Sequence, residues 1–119
     1  MNAQDLQHDL QQFTGTEHWY SHPLGKQLMY TDGVKFFADQ QGAYWLIDIF
    51  ASQPEILATM RDGFAVMELV VKPDSTGQIT CSDGNDNITY TRDLDFTDAL
   101  EGTWRFFLAN NVIMLPSEY

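Results

Sequence analysis

The spacing of hydrophobic residues in the first half of the chain predicts helices. Leu6, Leu10 and Phe13 repeat at helical intervals among polar neighbours, the pattern of a short amphipathic helix. Either Thr31 or Asp32 is suited to cap the start of a second helix, and Gly42 is suited to end it. The predicted helices cover about 2–13, 34–41, 43–51 and 54–60, the last opened by a capping box at 52–55 that places a proline in its first turn. Periodicity alone fits the apolar run at 43–51 to a buried helix or to a strand, and the capping box that follows it favours the helix.

Beyond Gly63 the pattern alternates with a period of two, which predicts four or five strands. In the third of them, Ile88, Tyr90, Leu94 and Phe96 are predicted to point inward. A hairpin turn at 110–111 is favoured because asparagine tolerates positive φ. The predicted strands cover about 64–72, 78–82, 88–96, 104–109 and 112–115.

These elements together predict an α+β fold in a single domain over 1–119. The N-terminal helices, about 1–62, are expected to pack on one face of a four- to five-stranded antiparallel sheet, about 63–119. Trp19 and Tyr20 form at most a short extended piece in an otherwise loop-like stretch between the first two helices.

The numbers of acidic and basic residues exclude some classes of function. Seventeen acidic residues stand against six basic ones, for a net charge of −11 in 119 residues. Six basic residues are too few to neutralise the phosphate backbone of a nucleic acid, so we expect no direct binding of DNA or RNA. No apolar run approaches the roughly 20 residues of a membrane helix, and the N-terminus lacks the features of a signal peptide. With one cysteine in the chain, these features predict a cytoplasmic protein without a membrane partner.

Part of the acidity is concentrated in the second half. The segment 83–101 holds six acidic residues and one arginine, and the predicted alternation places several of them on the outward sheet face or in its turns. The predicted partner-binding residues are Asp83, Asp86, Asp93, Asp95, Asp98 and Glu101. They can serve a basic partner by charge complementarity, or they can simply keep the protein soluble.

A second concentration of polar and aromatic residues lies near the N-terminus and provides the alternative interpretation, a small enzyme or ligand-binding domain. The candidate ligand site consists of Glu17, His18, Trp19, Tyr20 and His22. On a helix the two histidines would reach one metal ion, but the proline and glycine that follow favour a loop. We therefore predict no metal site there.

No other pattern indicates catalysis or a cofactor. Asp83 begins a run that resembles the start of a calcium loop, but the glycine and glutamate required further along are missing. Cys81 occupies an inward strand position and is expected to be buried and inert. Adjacent aromatic pairs such as Phe106-Phe107 cannot both point into one core, so some aromatics are either covered from both sides or exposed in a binding patch or homodimer interface.

Several local sequences resemble an uncharacterised family of small bacterial proteins carried on plasmids and other mobile elements. The resemblance covers nearly the whole chain through FTGTEHWY at 13–20, YTDGV at 30–34, GAYWLID at 42–48, CSDGN at 81–85 and LPSEY at 115–119. It implies no catalytic or binding residue. It implies that the protein is carried on mobile elements, where small acidic proteins often inhibit host defence systems.

The leading hypothesis is therefore a non-enzymatic protein-binding module, a mobile-element inhibitor of a host nucleic-acid-handling defence complex. Such an inhibitor would act against CRISPR or restriction systems, with DNA mimicry as one route. Its partner would be the basic surface of a bacterial DNA- or RNA-binding protein. An average of one charge per roughly 600 Å² is several-fold more dilute than duplex DNA, so mimicry would require the local cluster.

Overall fold

The computed structural model describes residues 2–13, 18–21 and 28–119. Within these residues the chain forms four α-helices, which confirms the helical prediction for the first half. Their bounds are α1 Ala3–Leu10, α2 Asp32–Gln41, α3 Tyr44–Ser52 and α4 Pro54–Arg61. A 3₁₀ helix, Pro116–Glu118, follows the last strand.

Local signals account for most helix ends. The Thr31 side chain accepts a hydrogen bond from the Val34 amide and caps α2, and Gly42 ends it in the left-handed conformation with φ of 59°. Pro54 lies in the first turn of α4, as predicted, but the predicted capping box is absent. Gln53 occupies the cap position and makes no side-chain hydrogen bond to the first turn.

The described residues form seven strands in one sheet. Their bounds are β1 Trp19–Ser21, β2 Met29–Thr31, β3 Ala65–Val71, β4 Gly77–Ser82, β5 Ile88–Leu94, β6 Gly102–Ala109 and β7 Val112–Met114. Their spatial order is β1-β2-β7-β6-β3-β4-β5. The β6–β7 hairpin turns at Asn110 and Asn111, which take φ of 52° and 65°, as a two-residue turn of this kind requires.

The α+β class is confirmed, but the prediction of a four- to five-stranded antiparallel sheet is wrong. Two strands from the N-terminal region extend the sheet, and β2 pairs with β7 in parallel through Met29 with Val112 and Tyr30 with Ile113. The sheet is therefore mixed. Each of β1 and β2 spans three residues, too few to show a period-two pattern, so their pairing depends on contacts distant in sequence.

The helices cover one face of the sheet. Alternate residues of β3, such as Met67 and Leu69, are fully buried there beside Trp104 and Phe106 of β6. Phe37 of α2 packs against the rings of Trp104 and Phe106, with ring centroids 5.4 and 5.1 Å apart. The core thus lies between the helical layer and this face, and strand alternation directs the remaining side chains to the other.

Among the described residues, the longest α-helix has ten residues. None has the length and apolar character required to cross a bilayer.

Candidate functional site

The second face of the sheet is the most distinctive surface of the described chain. Val66, Glu68 and Val70 of β3 alternate with the buried residues of that strand and remain partly or fully exposed. Phe107 lies opposite Val66 on β6 and is half-buried. In the described part of the chain no helix packs over these positions, and we call this surface the open face.

Three aromatic rings contact one another at one end of the open face. Phe64 precedes β3, Phe107 belongs to β6, and Tyr119 follows the 3₁₀ helix. Their ring centroids are 5.0 Å (Phe64 to Phe107), 5.3 Å (Phe64 to Tyr119) and 5.6 Å (Phe107 to Tyr119) apart, all edge-on. Tyr119 is 76% exposed. The three residues, called the aromatic cluster below, therefore present apolar ring surface to solvent.

The β4–β5 turn lies beside this cluster and is held by one carboxylate. Asp83 accepts hydrogen bonds from the Asn85 amide at 2.8 Å and from the Asn87 side chain at 2.8 Å. These hydrogen bonds, that from the Asn87 side chain foremost, lower the pKa of Asp83. Gly84, with φ of 87°, lies so close to Phe64 that an added Cβ would be 3.8 Å from the ring, so the turn packs onto the cluster.

A groove of about 540 Å³ runs between the turn and the neighbouring strands. Its lining consists of Phe64, Val66, Glu68, Ser82, Asp83, Gly84, Asn85, Asp86, Arg105 and Phe107. Glu68 and Arg105 face each other across β3 and β6, with Arg105 Nη2 2.9 Å and Nε 3.2 Å from the same carboxylate oxygen. Since this pair cancels in charge, Asp83 and Asp86 give the groove its net negative charge.

The six predicted acidic residues lie in two groups rather than one patch. Asp83 and Asp86 occupy the β4–β5 turn, whereas Asp95, Asp98 and Glu101 follow the opposite end of β5. A seven-residue strand separates the groups by about 20 Å. The remaining member, Asp93, lies on the open face near the second group and accepts a hydrogen bond from Gln78 at 2.8 Å.

The predicted alternation of β5 is wrong at its beginning and beyond its end. A bulge between Cys81 and Ser82 pairs Ser82 with Ile88, so Ile88 is directed to the open face and is 59% exposed. Thr89 instead accepts a hydrogen bond from Thr59 of α4 at 2.7 Å. Phe96, also predicted inward, lies after the strand and is 68% exposed.

The alternative ligand site is described only in part. Glu17 and His22 lie outside the described residues, while His18 and Trp19 are exposed. The Tyr20 hydroxyl donates a hydrogen bond to Asp32 at 2.9 Å, and this bond is the main reason that the pKa of Tyr20 is raised. Tyr20 is thereby tied to the first turn of α2, a contact that accounts for its position without a ligand.

A related polar cluster lies further along α2. Tyr44 donates a hydrogen bond to Asp39, which also pairs with Lys35 at 2.9 Å. The hydrogen bond from Tyr44 is the largest cause of the lowered pKa of Asp39, and it raises the pKa of Tyr44 to about 12. The partners stabilise one another in the protonation states of neutral pH, as expected of a surface network that links α2 to the start of α3.

Neither a metal centre nor a reactive thiol emerges from the described residues. No three histidine, cysteine, aspartate or glutamate residues among them are arranged to hold a metal ion. Cys81 is buried, as predicted, and burial raises the pKa of its thiol. A protonated thiol in the core is a poor nucleophile.

Sequence reasoning did not find the aromatic cluster. The adjacent pair Phe106-Phe107 indicated that one ring would leave the core, and Phe107 is the one that does. Phe64 lies two residues before Val66, and residues two apart on a strand share a face. This spacing was a further signal that Phe64 lies on the open face. Tyr119 carried no signal, since its contacts join segments more than ten residues apart.

The fold and this surface define a class: an acidic α+β protein whose mixed sheet is covered by helices on one face and carries an aromatic groove on the other. The chain belongs to a family of unknown function, DUF6876, whose model matches residues 4–119. Neither the curated proteins nor the solved structures yielded a significant match to the chain.

Proposed function

We propose that this protein is a non-enzymatic binding module that attaches, through the open face of its sheet, to the basic surface of another protein. One observation carries the proposal: apolar and aromatic side chains line a sheet face that the described chain leaves uncovered. Phe64, Phe107 and Tyr119 supply ring surface, Ile88 is exposed at the same end of the face, and Val70 is exposed towards the other end. Protein interfaces are enriched in such aromatic surface at their centres.

The acidic residues favour a basic partner. The five strands from β7 to β5 make a flat area of about 500 Å², from a 4.8 Å strand spacing and a length of about 20 Å. A standard interface needs about 800 Å² from each partner. A partner of that footprint reaches the rim, where Asp83 and Asp86 lie at one end and Asp95, Asp98 and Glu101 at the other. Both acidic groups would then contribute to attraction and speed of association.

The same charge argues against a homodimer across the open face. Two copies would bring like-charged rims together, and each chain already carries a net −11. Like charges facing each other across an interface oppose association. A partner with a positive surface is the better electrostatic match.

We propose a nucleic-acid-handling protein as the source of that surface, because such proteins must be basic where they contact phosphates. The resemblance to mobile-element proteins supports a host defence complex in particular. Binding there would exclude DNA or RNA from the same surface, so the module would act as an inhibitor by competition.

The test is affinity capture with variants that change the same amount of charge in two places. Asp93→Lys/Asp95→Lys alters the open face and its rim, while Asp5→Lys/Glu55→Lys makes the same change on exposed positions of the helical layer. Lysates of bacteria with and without defence systems supply the candidates. The captured protein is then purified and titrated against each variant and against duplex DNA.

The proposal expects the helical-layer variant to retain the partner and the open-face variant to lose it, at nearly unchanged melting temperatures. It also expects DNA to displace the protein. Equal loss with both variants would show that net charge alone mediates capture. Full retention with the open-face variant, or simultaneous binding of DNA, would overturn the proposal.

A further inference from the structure

The groove beside the aromatic cluster combines two kinds of surface that recognise the same chemical group. We propose that it receives a guanidinium group, the side chain of an arginine on the partner. This inference rests on the proposed function for the choice of face, but it concerns one groove and one side chain and can be tested without the partner.

The first kind of surface is aromatic. Phe64 and Phe107 both line the groove, are half-buried, and meet edge-on at 5.0 Å. The groove wall therefore includes surface from both aromatic rings. A cation over the face of an aromatic ring is attracted by its quadrupole, and arginine uses this contact more often than lysine does.

The second kind is carboxylate. Asp86 lies exposed in the turn that borders the groove, and Asp83 is fixed in the same turn by hydrogen bonds from Asn85 and Asn87. Asp83 keeps its negative charge because those donors favour the ionised form. The groove therefore offers negative charge at its rim and aromatic rings in its wall.

One arginine of the chain itself, Arg105, already lines the groove and is paired with a carboxylate. Arg105 donates from Nη2 and Nε to Glu68 at 2.9 and 3.2 Å. The charges of this arginine and this glutamate therefore cancel. Three carboxylates and one guanidinium line the groove, so its net charge is −2. Anionic and neutral side chains gain nothing from that field, whereas a cationic planar group fits both surfaces.

The volume agrees with a side chain rather than an ion. At about 540 Å³ the groove is far larger than a hydrated metal site needs, and it is within the usual range for organic ligands. It opens directly onto the open face, so an arginine from a docked protein enters without displacing a helix.

The experiment is an NMR titration of the intact ¹⁵N-labelled protein with N-acetyl-arginine N-methylamide. The matched probes are the citrulline derivative, which has the same shape without charge, and the lysine derivative, which has charge without a planar group. We expect saturable shifts at the amides of Gly84, Asn85 and Phe107, with millimolar affinity. We expect the citrulline derivative to bind at least about tenfold more weakly and lysine to be intermediate.

Variants separate the two surfaces. Asp86→Asn and Phe107→Leu should each weaken arginine binding about threefold, while Asp95→Asn, the same charge change at the far end of β5, should leave it unaltered. Spectra of each free variant check that the fold is intact. Equal binding of the citrulline derivative, shifts confined to other surfaces, or an Asp86→Asn protein that binds normally would each overturn the inference.

The two proposals fail separately. Loss of arginine binding with intact, face-dependent capture of a partner would leave the proposed function standing and remove the groove from it. Arginine binding without any partner sensitive to the Asp93/Asp95 reversal would retain the groove and overturn the proposed function.

Discussion

Replacing Glu118 should weaken the attachment of the C-terminal 3₁₀ helix to the rest of the fold. Its carboxylate accepts three hydrogen bonds: from the Thr31 hydroxyl at 2.6 Å, from the Leu115 amide at 3.0 Å and from the Gly33 amide at 3.2 Å. Thr31 also caps α2 by accepting from Val34. One side chain thus joins the 3₁₀ helix to the first turn of α2, more than 80 residues earlier.

The magnitude follows from the donors that would be left behind. Thr31 and Leu115 are 1% and 3% exposed and Gly33 is buried, so Glu118→Ala leaves three buried donors without their acceptor, each worth about 1–3 kcal/mol. Partial rehydration lowers the total, and we expect about 3 kcal/mol of lost stability. For a chain of this length that corresponds to a fall in Tm of about 12 °C. Glu118→Gln keeps one amide oxygen as acceptor and should lose about half as much.

Urea unfolding and thermal melts measure these losses. Glu101→Ala is the matched control, since it removes an exposed glutamate and should change stability by less than about 0.5 kcal/mol. The order expected is wild type and Glu101→Ala, then Glu118→Gln, then Glu118→Ala. A Glu118→Ala protein as stable as the control would refute the reasoning that these hydrogen bonds hold the segment.

Three further outcomes are expected. Gly33→Ala should destabilise the protein by about 1–3 kcal/mol in urea unfolding, because the new Cβ would lie 2.5 Å from the Leu115 side chain; a gain would contradict the close packing. Tyr44 should ionise last in an absorbance titration, near its pKa of about 12, with Asp39→Asn lowering that value. Since folding raises this pKa above 10.0, its contribution to stability is complete below pH 10 and disappears as pH rises towards 12. Cys81 should react with a thiol reagent on the order of a hundredfold more slowly in the native protein than in urea; rapid native labelling would show an accessible thiol.

The helices were predictable because their signals are local. Thr31 and Gly42 mark α2 by side-chain capping and positive φ, and Pro54 marks the first turn of α4. The capping-box pattern that follows the apolar run of α3 favours a helix for that run. Each of these signals acts within a few residues, so no knowledge of the tertiary structure was needed.

The sheet was predicted less well because its errors involve distant pairing. β2 pairs with β7, which lies more than 80 residues further along the chain. A strand of three residues carries no sequence pattern from which its pairing partner could be predicted. The bulge at Cys81 and Ser82 reverses the direction of Ile88 and Thr89, since one inserted residue exchanges the two faces of a strand. A bulge is set by the paired strand and by α4 together, so reading β5 alone could not place it.

The sequence of β3 contains one signal that the structure makes interpretable. A strand that is apolar on both sides is typical of a sheet covered on both faces, and β3 carries Val66 and Val70 opposite its fully buried residues. The described chain covers only one of those faces. The outer apolar residues of β3, together with Phe107 on β6, are thus suited to a second layer. Because acidic turns border that face at both ends, we propose a basic protein surface as that layer, with the groove beside Phe107 as its most specific point of contact.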